Sequence, residues 1–231
     1  MLGVLLLGFL IGLQHAMEAD HVAAVASLAT QNRTLAQTAR QGVVWGLGHA
    51  LTLFLFAGVV LVFDLIMPES LARTLELTVG VMLILLGVDV LRRLISERVH
   101  FHAHSHGEMT HFHAHSHQGC GAHDADPHLH KHSERFPLRA LFVGMMHGMV
   151  GSAALILLLL ALETVVSPLE GLLYILVFGF GSIAGMGLLA LVIGLPLRLS
   201  SRTLTWAHNG LKGVVGFLTV GLGAAVIVSV I

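Results

Sequence analysis

Two histidines and two carboxylates crowd into seven residues near the start of the chain, in the run His15-Ala-Met-Glu18-Ala-Asp20-His21. Imidazole combined with carboxylate suits zinc, nickel, cobalt or iron, whereas magnesium and calcium prefer oxygen ligands and copper(I) favours sulfur. The run lies inside an otherwise apolar stretch, where ionisable groups are costly and point to function. On a regular helix of about 100° per residue, His15, Glu18 and His21 fall within roughly 120° while Asp20 points nearly the opposite way. Either the helix is unwound there, as in the discontinuous helices of transporters, or Asp20 orients a ligand from another helix.

Two further histidines have similar surroundings: His49 in Trp45-Gly-Leu-Gly-His-Ala-Leu-Thr52, and His147 in Gly144-Met-Met-His-Gly-Met149. Each lies about two turns from the same end of its apolar segment, so with His21 three imidazoles from three helices approach one layer. Gly46, Gly48, Gly144, Gly148 and Gly151 would let those helices come close. A lone intramembrane histidine is more often a hydrogen-bonded packing residue. Convergence reverses that for His21 and His49 and leaves His147 evenly balanced. The predicted metal set is His15, Glu18, Asp20, His21, His49 and His147, while His208, Asp64 and Asp89 read as interfacial.

The elements that position these residues follow from composition. Of 231 residues, 55% are hydrophobic and 11% charged, against about 25% charged in a soluble domain. The apolar residues fall in runs of about 20, each able to cross a hydrocarbon core roughly 30 Å thick. The expected fold is all-α, a polytopic membrane protein with about six transmembrane helices, over Leu2 to Ala29, Gly42 to Ile66, Leu75 to Leu91, Leu138 to Leu162, Leu169 to Leu195 and Trp206 to Ile231. The first run lacks the positive flank and cleavage site of a signal peptide and reads as a retained helix.

Charge sets the expected orientation. Every Lys and Arg except Arg73 falls in or beside the first, third and fifth connections, among them Arg33, Arg40, Arg92, Arg93, Arg139, Arg198 and Lys212. The positive-inside rule then puts both termini outside and the central loop in the cytoplasm of a bacterial-type plasma membrane. The halves also match each other: Gly12, His15 and Met17 with Gly144, His147 and Met149, then Trp45, Gly46 and Gly48 with Phe178, Gly179 and Gly181, then Gly80 with Gly213. Because each half has an odd number of crossings, the repeat would be inverted, 3+3, with a site near the midplane. The expected division is residues 1–95 as the first half, 96–137 as a cytoplasmic histidine-rich disordered loop and 138–231 as the second half.

That loop holds twelve histidines between His100 and His132, with a tandem repeat. His100, His102, His104 and His106 alternate with other residues, and so do His111, His113, His115 and His117. Its polarity argues for disorder and its imidazoles for auxiliary metal binding, as a buffer, sensor or delivery arm. The only cysteine, Cys120, excludes a disulfide framework and any Cys₄ site.

The pattern of His15, four residues and Asp20-His21 resembles the signature of the nickel/cobalt transporter family, and Gly48-His49 with Thr52 resembles that family's second-helix motif. With the glycine-rich fifth span and the loop, the resemblance covers most of the chain. It implies selective movement of Ni²⁺ or Co²⁺, with His15, Asp20, His21 and His49 as ligand or filter positions. Gly144-Met-Met-His147-Gly-Met149 stands where the better-known uptake members carry an acidic, threonine-containing motif, and the spans are fewer. In both respects the chain is more similar to the compact branch that includes efflux proteins and membrane accessory proteins of urease or hydrogenase maturation. Uptake and export both stay open.

The expected cargo is therefore Ni²⁺ or Co²⁺, with Zn²⁺ as the alternative and no permanently bound cofactor. Expected partners are transition metal ions, the lipid bilayer and a cytoplasmic metallochaperone, whereas a net charge of -1 gives no sign of nucleic-acid binding. Oligomeric state is not specified. Rival readings are a zinc exporter and a haem-binding or metallocentre accessory membrane protein, since paired histidines could ligate haem. Enzyme chemistry ranks last, because Ser182 lies outside a Gly-x-Ser context and no paired aspartate motif occurs.

Overall fold

The computed structural model describes the chain apart from residues 1, 33, 64–67, 97–98, 107–108, 117–136, 162–166 and 204; for 99–106, 109–116, 151–161, 201–203 and 205 the description is of the backbone. His117, Cys120 and Asp64 thus lie outside the described residues. In hydrocarbon each backbone N–H and C=O must find its partner within the segment, and the apolar runs accordingly form helices. These are α1 (Leu2–His15), α2 (Ala19–Ala29), α3 (Leu35–Val62), α4 (Glu69–Ser96), α5 (Leu138–Ala161), α6 (Pro168–Thr203) and α7 (Thr205–Val230). Helix α3 starts a full two turns before its apolar run because the Thr34 side chain accepts a hydrogen bond from the Gln37 N–H and caps it.

Helices α3, α4, α6 and α7 are each long and apolar enough to cross a bilayer, and α1 with α2 makes a fifth span if the pair, bent by 57°, is counted as one. Over Leu138–Val150, α5 is a shorter apolar helix. Large apolar side chains face outward all around the bundle, among them Phe142 at 67% exposure, Leu85 at 65% and Phe217 at 70%. A surface of that character is solvated by lipid rather than water. The chain is an integral membrane protein.

One stretch departs from the all-helical expectation. Residues 99–106 and 109–116, expected as part of a disordered loop, form two antiparallel paired strands, a hairpin of β1 (Val99–His106) and β2 (Met109–Ser116). Its register pairs His100 with His115, His102 with His113 and His104 with His111. The physical reason is the period of the sequence: residues alternate strictly over two near-identical stretches, and a spacing of two is that of a strand.

Within the bundle, α3 lies between α5 and α6, α1 lies along α6, and α4 lies along α7. Lipid offers apolar side chains no driving force to associate, so close backbone approach at small residues must hold such a bundle. The approaches are reciprocal. A methyl group on Gly144 would overlap the Trp45 carbonyl, and one on Gly12 would overlap the Phe178 carbonyl. Gly48 in turn meets the Leu141 carbonyl as Gly181 meets that of Phe9. Between α4 and α7, Gly80 and Gly223 lie against each other, as do Gly87 and Gly216. Polar ties add to this: Ser27 Oγ to Thr219 Oγ1 at 2.9 Å joins α2 to α7, and Arg139 to Asp89 at 2.8 Å joins α5 to the end of α4.

Candidate metal centre

Helix α1 ends inside the bundle instead of crossing it. Its last turn tightens into bonds from the Met17 N–H to the Gln14 carbonyl (2.9 Å) and from the Glu18 N–H to the His15 carbonyl (3.1 Å). Glu18 is then extended, with φ -62° and ψ 147°, and α2 restarts when the Val22 N–H reaches the Glu18 carbonyl at 2.9 Å. Both arrangements left open by the sequence are present: the helix is locally unwound, and Asp20 reaches a histidine on another helix, His147 on α5. The residues of the break supply the reason, since carboxylate side chains compete for backbone N–H groups at helix starts. Asp20 does so here, its Oδ1 accepting the His21 backbone N–H at 2.8 Å.

With the helix broken, Asp20 no longer points away from the other groups. Its Oδ1 also accepts from His21 Nδ1 at 2.8 Å, and its Oδ2 from His147 Nε2 at 2.9 Å. Glu18 does the same for His15, Oε1 lying 2.7 Å from Nδ1. From α3, His49 completes the cluster. Its ring centroid is 5.3 Å from that of His15 and 5.1 Å from that of His21. All six residues predicted from the sequence are thus brought together.

What the hydrogen bonds leave open is as informative as what they close. His21, His49 and His147 are at most 2% exposed. Yet His15 Nε2, His21 Nε2, His147 Nδ1 and both nitrogens of His49 are buried with no hydrogen-bond partner among the described residues. A buried polar atom without a partner costs about 1–3 kcal/mol, and these five are atoms that a bound ion or water would satisfy. One group of donor atoms, from His15, His21 and His49, lies within 4.8 Å, and so does a second from Asp20, His21 and His147. An Nδ1–H held by a carboxylate puts the imidazole lone pair on Nε2, the form that binds a metal ion. The His15, His21 and His49 donor set fits a first-row divalent ion, and Glu18 and Asp20 each hold the Nδ1 of one of those rings.

Two aromatic walls enclose this cluster, and neither was among the predicted site residues. Trp45 stacks on His49 at 6.0 Å and meets His21 at 5.4 Å and His147 at 5.6 Å, while Phe178 lies 5.3 Å from His15. The signal was present as the matched pair Trp45 and Phe178, which sequence reasoning had taken as part of the repeat alone. Thr52 is turned to its own helix, its hydroxyl donating to the Gly48 carbonyl at 2.9 Å. His208 keeps company with Ser200, 3.2 Å away, at the junction of α6 and α7.

Comparison with known proteins gives one whole-length likeness. The chain is 34% identical over 223 residues to the urease accessory protein UreH of Bacillus sp. (strain TB-90), an overlap that takes in 96% of this chain and 90% of the relative. No family model matches the chain. No solved structure matches it.

Proposed function

Because the chain belongs to the nickel/cobalt transporter family, we propose that it carries Ni²⁺ or Co²⁺ across the bilayer through the centre formed by His15, His21 and His49. The observation that carries this reading is the set of unpartnered imidazole nitrogens, three of whose rings present donor atoms within 4.8 Å inside an apolar bundle. Three neutral imidazoles leave open positions for water, which lets a cation arrive partly hydrated and lose its shell stepwise. Glu18 and Asp20 fix the tautomers of His15 and His21 and supply compensating negative charge. The relative's name as a urease accessory protein favours nickel over cobalt and zinc.

Alternating access requires two bodies that rock about the site, and the reciprocal glycine contacts support an inverted 3+3 repeat. Exchanging α1 with α5 and α3 with α6 turns the contact of Gly12 on Phe178 into that of Gly144 on Trp45. For the third helix of each half, the contacts favour Gly80 matching Gly216, three residues beyond the match read from sequence. Six crossings, termini outside and the hairpin in the cytoplasm complete the topology, on the distribution of Lys and Arg. Two charges moving through about 100 mV yield roughly 4.6 kcal/mol, enough to drive the ion toward the negative side without a second ion.

The test is flux of Ni²⁺, Co²⁺ and Zn²⁺ into proteoliposomes, for the intact chain and for His21→Ala. Movement of Ni²⁺ or Co²⁺ that the substitution abolishes is the expected result. Absence of flux, or normal flux in the variant, overturns the reading, and a preference for Zn²⁺ would replace its cargo.

A further inference from the structure

His21 belongs to both groups of donor atoms. Its ring lies 4.4 Å from that of His15 at an interplanar angle of 66°, and 4.4 Å from that of His147 at 67°. The two outer histidines occupy matching places in the bundle. His15 faces Phe178 one turn beyond Gly12, which presses on the Phe178 carbonyl; His147 faces Trp45 one turn beyond Gly144, which presses on the Trp45 carbonyl. In an inverted repeat such positions are mirrored across the midplane, one toward each face of the membrane. His49 has no such counterpart, since Ser182 holds the matching place on α6.

We propose that Asp20, His21 and His147 form a second seat for the same divalent cation, and that the ion passes between the two seats by exchanging ligands around His21. This rests on the transport reading and adds the route taken within it. Leaving one complete set of ligands before reaching the next would expose a bare divalent ion to an apolar interior, at a cost no membrane protein bears. Keeping one shared ligand removes that barrier.

The hydrogen bonds define the exchange. In the first seat His21 donates Nδ1–H to Asp20, which leaves the unpartnered Nε2 with its lone pair on a ring adjoining those of His15 and His49. In the second seat the ion lies between the Asp20 carboxylate, His21 Nδ1 and His147, replacing the two hydrogen bonds that now hold the carboxylate. His21 then carries its proton on Nε2, and His147 carries its own on Nδ1. A neutral ring cannot offer both lone pairs at once, so the seats are filled alternately, and repulsion between two divalent ions a few ångströms apart enforces the same rule. Little backbone movement is needed. Asp20 and His21 open α2, which the break separates from α1, and a cavity of about 650 Å³ flanks α2 along Ala19, Ala23 and Ala26.

Co²⁺ is the probe, because its absorption reports its ligands. In the purified full-length protein with all twelve histidines from His100 to His132 replaced by serine, one Co²⁺ per chain is expected. His147→Gln should still bind one ion with the spectrum of an all-imidazole site, yet lose more than about tenfold in proteoliposome flux. His15→Gln combined with His49→Gln should bind one ion with a spectrum that includes carboxylate oxygen, and should lose flux equally. Two ions bound at once, normal flux in His147→Gln, or a double variant that binds nothing while His147→Gln binds one would each overturn the hand-over. An unsubstituted chain that carries neither Ni²⁺ nor Co²⁺ overturns the transport reading and this proposal together, whereas normal flux in His147→Gln removes this proposal alone.

Discussion

The chain uses imidazole in two places under opposite physical conditions. In the bundle, four histidines from α1, α2, α3 and α5 meet, His21, His49 and His147 buried and His15 partly so, and three of the four are held by carboxylates on ring nitrogens. In the hairpin, histidines alternate along two paired strands, where the sequence from Val99 to Ser116 holds a single carboxylate, Glu108. The first arrangement fixes tautomer, direction and number of ligands; the second offers many ligands at a regular spacing and fixes the backbone alone. Selectivity among first-row ions has to come from geometry, since raw affinity would favour copper. The centre is therefore read as the selective element and the hairpin as the collector.

The sharpest way to break this contrast is His21→Ala. Loss of the ligand common to both seats should lower Ni²⁺ flux by more than about a hundredfold, as removing a first ligand exceeds the 10–100-fold typical of outer partners. Equal flux with and without His21 would move the transport site elsewhere. Next come the carboxylates. Asp20→Asn should cost about 10–100-fold in Ni²⁺ affinity by titration, and Glu18→Gln less, because the Glu18 side chain is 57% exposed and that of Asp20 30%. The reverse order would show that Glu18 is itself a ligand. Rigidity of the frame is tested by Gly144→Val, whose side chain would overlap the Trp45 carbonyl. A loss of about 1–3 kcal/mol in detergent stability is expected. Gly221→Ala, with nothing within 4 Å, is the control that should stay unchanged.

How far the sequence foresaw these two regions differs in an instructive way. The histidines and carboxylates of the centre stood out because lipid makes each of them expensive, so their mere presence was a signal. Their geometry did not follow from helical spacing, which pointed Asp20 away from His21. Only the break at Ala16 to Glu18 turns it between His21 and His147, and the sequence could offer that only as one of two options. Nor could spacing separate ligands from the groups behind them, because that depends on which ring nitrogen each carboxylate reaches. The hairpin carries two signals: polarity points to disorder, whereas strict alternation has the period of a strand.

The smallest effect expected is that of the hairpin on transport itself. Replacing His100, His102, His104, His111, His113 and His115 by serine removes all three cross-strand histidine pairs. If the hairpin only gathers ions, flux at saturating Ni²⁺ should stay within about twofold of the unsubstituted chain, the range of surface substitutions. At submicromolar Ni²⁺ the flux should fall, because local concentration then limits filling of the centre. Acidification provides an independent check. Imidazole must be neutral to bind, so ions held by the hairpin should be released as pH falls through about 6.5, the ordinary imidazole value. Extra ions bound by the full chain at about pH 7.5 and lost at about pH 5.5 should be missing from the serine variant at both. A variant whose saturated flux collapses would make the hairpin part of the path, and the division between a selective centre and a collecting arm would have to be given up.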